Sequence, residues 1–208
     1  MPCALPLPTR DTGPVVSEEH LEVVHGVRIP LSPLSHRASQ RRSLDEQLRV
    51  RSPAIFRRLA NAFMRLPPRA RLRRLLIARG IQRAYAAGNR RDFDLLLVGM
   101  DPGSYEYRPS DDLLPPDLET VFYGHEGYLK LWRYWLDAFE DIRWDPEEIL
   151  DLGDKLLVTT QQRGHGSGSG VAVSKPVFQL FTLRRGLVAR QEDFLDRSKA
   201  LEAAGLSG

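Results

Sequence analysis

Residues 161–170 read QQRGHGSGSG, with glycine at every second position from Gly164 to Gly170. Such a run could cradle phosphate, present a nucleophile or reverse the chain. The dinucleotide fingerprint needs G-x-G-x-x-G and a P-loop needs Lys-Ser/Thr after its last glycine, whereas here Val171-Ala172 follow a G-x-G-x-G-x-G spacing. Neither Ser167 nor Ser169 stands between glycines two residues away on each side, so a nucleophile elbow is ruled out. The flanks KLLVTTQQR and VAVSKPVFQLFTL are rich in β-formers, and the run is expected to turn a hairpin. The five histidines form no H-x-x-x-H pair and no carboxylate-rich cluster, so no metal and no cofactor is expected. His165 falls at the hairpin tip, in solvent. His125, in GHEG, is a candidate proton donor or simply a polar helix start. Arg108 offers a planar fork for a carboxylate or enolate, or a surface pair with Asp111 or Asp112.

These residues sit in a chain of 208 residues, long enough for one core and an appendage. Cys3 is the lone cysteine, which excludes an intrachain disulfide. No stretch approaches the length of a membrane span and MPCALPLPTR lacks signal-peptide character, so a cytoplasmic protein is expected. The net charge of +3 conceals an asymmetry. Fourteen arginines face two acids between Arg37 and Arg83, while residues 84–208 carry a surplus of seven acids. A basic arm joined to an acidic body has three readings: nucleic acid, anionic membrane, or docking on its own domain. The aromatic interleaving of RNA-binding modules is missing, and docking on the acidic body is preferred.

Residues 1–36 are expected to be a disordered leader, proline-rich at the start, with LEVVHGVRIPL as a small hairpin around His25-Gly26. Residues 37–70 are expected to form an arginine-rich helical extension. Ser43 opens a capping box in SLDE, and Ser52-Pro53 pairs an N-cap with proline at the first helical position. In PAIFRRLANAFMRL, Ile55, Phe56, Leu59, Phe63 and Leu66 recur at helical spacing until Pro67-Pro68 ends the pattern. Residues 71–208 then read as a long helix to about Gly88, a short helix in RRDFDLLLVGM and a strand in YEYRP. A helix in HEGYLKLWRYWLDAFE follows, with Trp132 and Trp135 on its apolar face, available to stack on a flat ligand or to fill the core. A strand, the hairpin, a last strand in LVARQEDFL and a helix capped by Asp196 complete the chain. Alternation sets Val177, Gln179, Phe181 and Leu183 on one strand face, and Ala189, Gln191, Asp193 and Leu195 on another.

This order of elements from about Leu72 onward, with AYAAGNRRDFD, FYGHEGYLKLW, the GHGSGSG hairpin and DRSKALEAAGL, resembles the SnoaL-like branch of the NTF2-like superfamily. The resemblance implies an α+β cone, in which a curved antiparallel sheet wraps helices around a pocket, and a homodimer built on the outer sheet face. Members include polyketide cyclases, ketosteroid isomerases and epoxide hydrolases, so the fold names no reaction. The isomerase positions fall here on Ala84, Arg108 and Gln179, which argues against steroid isomerase chemistry. The resemblance also turns the Gln191/Asp193 face toward the pocket. A carboxylate there has its charged form disfavoured and suits a general base. Asp193 is accordingly the candidate base, with Gln179 and Gln191 orienting substrate or water; the competing reading pairs Asp193 with an arginine at the sheet edge. Tyr85, Arg108, Trp132 and Phe181 complete the expected ligand-binding set. The expected function is binding of a small, largely apolar or polyketide-like molecule with acid/base chemistry of cyclase, isomerase or hydrolase type. The alternative is a non-catalytic ligand-binding or interaction module with a basic docking arm.

Overall fold

The computed structural model of the protein describes residues 26–34, 42–110, 113–114 and 119–206. Helix α1 (Leu44–Arg51) starts where the capping signal places it, the Glu46 carboxylate accepting the Ser43 backbone N–H at 2.8 Å. Helix α2 (Pro53–Met64) begins with proline at its first position, where the missing N–H is not needed. Helix α3 (Arg71–Asn89) follows, and α4 (Phe93–Val98) is capped by the Asp92 side chain, which accepts from Leu95 N. Beyond it come β2 (Glu106–Arg108), β3 (Phe122–Tyr123) and α5 (Gly124–Ala138). Four longer strands then form an antiparallel meander: β4 (Arg143–Asp151), β5 (Lys155–His165), β6 (Ala172–Arg184) and β7 (Leu187–Phe194). Helix α6 (Arg197–Ala204) ends at Gly205 in the left-handed conformation.

A preceding strand, β1 (Val27–Pro30), corrects one expectation. This part of the presumed leader is ordered, and it pairs antiparallel with the distant β4, Ile29 opposite Ile149. Its reason is edge satisfaction: β4 would otherwise present a free row of backbone groups. The other half of that expected hairpin lies outside the described residues. The complete sheet runs β1-β4-β5-β6-β7-β2-β3, curved and open, with β2 parallel to β7. One face carries α3, through Ile77 against Ile149, Leu156 and Val158. The opposite face carries α6, through Ala200 against Leu157, Phe178 and Leu180. Helix α5 buries Tyr128, Leu131, Trp132 and Trp135 in a third cluster beside Phe122 and Val177, while Leu136 stays exposed.

The glycine run does join β5 to β6, but its glycines have different tasks. Gly168 and Gly170 have positive φ and make the reversal. Gly164 lies inside β5, where a Cβ would stand 3.1 Å from Ile142 Cα, so close backbone approach explains it. The next turn, Arg185-Gly186, has positive φ at both residues, as a two-residue hairpin of the mirror-image type requires. A Cβ on Gly186 would fall 2.5 Å from the Ala60 carbonyl carbon, because α2 lies directly on this turn.

The arm is therefore docked on its own domain, in part by charges whose arrangement the block totals do not reveal. Arg42 reaches Asp92 at 2.6 Å and Asp94 at 3.1 Å. In the opposite sense, the arm's two acids pair with helix α3 and the residue after it: Asp45 with Arg83, and Glu46 with Arg90 at 3.1 Å. The tightest link is Arg73. Its guanidinium, 2 % exposed, forks onto Asp151 at 2.8 and 2.7 Å and also donates to the carbonyls of Met64, Leu66 and Gly153. Arg73→Met would leave the fully buried Asp151 carboxylate without its counter-ion and two carbonyls at the end of α2 without donors. A loss of about 3–5 kcal/mol is expected in chemical denaturation, with part of it recovered when Asp151→Leu is added.

Candidate functional site

Alternation on β6 aims Val177, Gln179, Phe181 and Leu183 at one cavity of about 790 Å³, bounded by α1, α2, α3, α5 and the sheet. On β7 the pattern breaks. Thr182 stands opposite Arg190, whereas Leu183 stands opposite Val188, so Ala189 is an extra residue in a bulge. Gln191 and Asp193 line the cavity together with Val188, and the expected Ala189 and Leu195 do not.

Asp193 is 4 % exposed and its carboxylate is held entirely by neutral donors. Tyr107 donates its hydroxyl to Oδ2 at 2.5 Å, Gln179 donates Nε2 to Oδ2 at 2.8 Å, and Gln191 donates Nε2 to Oδ1 at 3.0 Å. Among the described residues no arginine or lysine pairs with it, and the structural ion pair weighed as the alternative does not appear there. The amides are fixed in turn: Tyr85 donates its hydroxyl to Gln179 Oε1, and Tyr105 donates to Gln191 Oε1 at 3.2 Å. Burial pushes the Asp193 pKa up to about 6, against the opposing pull of hydrogen bonds from Tyr107, Gln191 and Gln179. Desolvation prevails because the three donors carry no net charge. Burial, and then the nearby Asp193 charge, keep the Tyr85 and Tyr107 phenols neutral; burial does the same for Tyr128.

The remaining expected site residues divide by position. Tyr85, Trp132, Gln179, Phe181 and Gln191 all line the cavity. Trp132 stands in the apolar core cluster and also forms part of the cavity wall. His125, the second residue of α5, and Arg108, whose guanidinium lies 3.3 Å from Glu106, are not lining residues. Arg108 falls outside because the inward positions of β2 belong to its neighbour in alternation, Tyr107. Asp111 and Asp112, its other expected partners, lie outside the described residues. His165 is half-exposed at the hairpin and contacts Asp141 at 2.9 Å.

Tyr107 and Tyr105 were not anticipated. The signal was present in YEYRP, where both tyrosines share one face, but the parallel pairing of β2 with β7, Tyr107 opposite Gln191, joins segments 84 residues apart. The arm also differs from expectation in detail. Phe56 and Phe63 turn into the cavity, while Ile55 and Leu59 form its rim and remain 59 % and 50 % exposed. Docking over a cavity leaves that apolar face no core to enter.

The model of the SnoaL-like domain family matches residues 81–191, which contain the cavity's sheet wall up to Gln191. The chain belongs to the SnoaL-like family. Two crystal structures share the NTF2-like fold of this SnoaL-like protein. TerC co-crystallized with polyporic acid is 23 % identical, with 62 % of this chain and 95 % of that chain covered at a TM-score of 0.51. An NTF2-like protein of unknown function from Burkholderia pseudomallei is 19 % identical, with 60 % and 93 % covered at a TM-score of 0.52. No curated protein matches the sequence. Among the described residues of this SnoaL-like protein no group of three or more histidines, cysteines or carboxylates could hold a metal, and no helix is long and apolar enough to cross a membrane.

Tyr107→Phe removes a donor that favours the ionised carboxylate. The Asp193 pKa should rise further above 6, which carboxyl ¹³C titration of the purified variant would read directly; an unchanged or lower value would show that Tyr107 does not stabilise the charge.

Proposed function

We propose that the cavity binds a small, largely apolar molecule and that Asp193 exchanges a proton with it, in chemistry of the cyclase, isomerase or hydrolase type. The observation that carries this reading is a buried carboxylate on the wall of an apolar cavity, balanced by neutral donors alone. A carboxylate neutralised by arginine would stay ionised and be a poor proton acceptor. Here desolvation brings the pKa near the range in which one group both takes and returns a proton. Oδ1 accepts a single hydrogen bond and keeps capacity for a substrate proton. Gln179 and Gln191, braced by Tyr85 and Tyr105, hold the carboxylate in one orientation. Tyr128, neutral and facing the same cavity from α5, supplies a hydroxyl for charge developing on a substrate oxygen.

A second reading, a non-catalytic ligand-binding module, is favoured by the arm itself: it is held to the domain by Arg42 and by the Met64 and Leu66 carbonyls that accept from Arg73, and it places Ile55 and Leu59 at the cavity rim. Both readings require a bound small molecule, and in both the protein is proposed to act as a homodimer.

Native mass spectrometry of the full-length protein, followed by analysis of released compounds, tests the shared premise and reports the subunit count. A retained apolar molecule is the expected result. Turnover of that compound should rise with pH through about 6 and disappear in Asp193→Asn; unaltered turnover in the variant would exclude Asp193 as the base. Stability supplies an independent check. Because the folded pKa of about 6 exceeds the unfolded value of 3.8, the folded state holds the proton longer, and its stability falls as pH rises from 4 to 6 before levelling. The cost of ionising Asp193 is about 3 kcal/mol. Denaturant titrations of wild type should lose about that much relative to Asp193→Asn between pH 4 and pH 7.

A further inference from the structure

Gln162 lies on β5 four residues from Val158, so both point to the same sheet face, and Val158 stands opposite Gln179. Gln162 lines the cavity and is 1 % exposed, yet its Nε2 has no protein partner among the described residues. A buried amide without an acceptor is costly, and such groups call for an explanation at the site that holds them. The surroundings give one. Gln162 is paired across the ladder with Trp144, whose ring lies 5.0 Å from that of Trp132 and 6.5 Å from that of Trp135, centroid to centroid. These are the chain's three tryptophans, and all three line the cavity. An unpartnered donor thus stands among indole rings at one end of an apolar chamber.

We infer that Gln162 and the three tryptophans form a recognition subsite for a planar ring bearing a carbonyl oxygen, at the end of the cavity away from Asp193. The inference rests on reading the cavity as a ligand site, but not on proton transfer at Asp193. The indoles supply flat and edge-on apolar contact for a ring. Gln162 Nε2 donates to the carbonyl oxygen, which occupies the place a solvent molecule would otherwise take. Along β6, the residue opposite Gln162 is Lys175 and the residue opposite Asp193 is Gln179. Four residues at roughly 3.3 Å each separate the two poles by about 13 Å along the strands. A ligand touching both is elongated, and the carbonyl at the tryptophan end decides which of its atoms reaches the carboxylate. Gln162 is in this sense a specificity-determining residue.

Two probes of one skeleton test the inference: fluorenone, with a ring carbonyl, and fluorene, without it. Each is titrated into the full-length protein while tryptophan fluorescence is followed, since all three fluorophores line the cavity. Wild type should bind fluorenone more tightly than fluorene. Gln162→Met should weaken fluorenone binding about tenfold, the loss of one hydrogen bond, and leave fluorene unchanged. Its melting temperature should equal or exceed that of wild type, because an apolar side chain of similar length replaces an unsatisfied one. A lower melting temperature, an equal effect on both probes, or no binding of either probe to wild type would overturn the proposal. A measurement on wild type alone guards against a variant that does not fold: the C=O stretch of bound fluorenone should move to lower frequency than in hexane, and an unmoved band is a negative result. Asp193→Asn should leave the ratio of the two affinities unchanged, because that ratio is set by the ring carbonyl at the tryptophan end. Loss of proton transfer would thus leave the Gln162 dependence intact, and loss of that dependence would leave the chemistry at Asp193 standing.

Discussion

The buried fork between Arg73 and Asp151 is the constraint on which the arrangement of this protein depends. It joins three things that sequence keeps apart: the carbonyls at the end of the arm, the first turn of α3, and the β4–β5 turn. Two buried charges are costly to desolvate, and the pair is tolerable because every strong donor direction of the guanidinium meets an oxygen. The consequence is positional. With α3 fixed over the inner face of the sheet and α2 held beside it, a chamber remains between helices and strands rather than a closed core.

Within that chamber the same physics is used with the opposite balance. Asp151 is forked by an arginine and forms part of the framework. Asp193 has two amides and a phenol, which orient it without neutralising it, so burial decides its proton affinity. Two aspartates on one sheet, each nearly inaccessible, thereby differ in a single feature, the net charge of the donors around them. The two carboxylates lie on different strands, Asp151 at the end of β4 and Asp193 on β7.

Much of the local structure was legible in the chain. The capping box at Ser43, the proline after Ser52, the Asp196 cap and the alternation of VFQLFTL depend on neighbours within a few residues, and each appears as read. The same alternation brought Gln179 and Phe181 to the cavity, and the resemblance in element order indicated the fold. Expectations faltered where a partner is distant. The ion pair considered for Asp193 was a reasonable outcome for a carboxylate among many arginines. Its actual partner, Tyr107, comes from a strand that joins the sheet in parallel from the far side of α5. The Ala189 bulge, which redirects Val188 inward, leaves no trace in composition or period.

What the sequence determined by itself is most of the elements from α1 onward, their order and their caps, because these follow from propensity, capping and hydrophobic period. The tertiary structure alone decided which faces enclose space and which carboxylate lies among neutral donors. It also decided that Arg73 is the buried one among the described arginines of the basic stretch. Those outcomes depend on pairings across scores of residues, and the energy of a buried charge is set by whatever folding brings within a few ångströms of it.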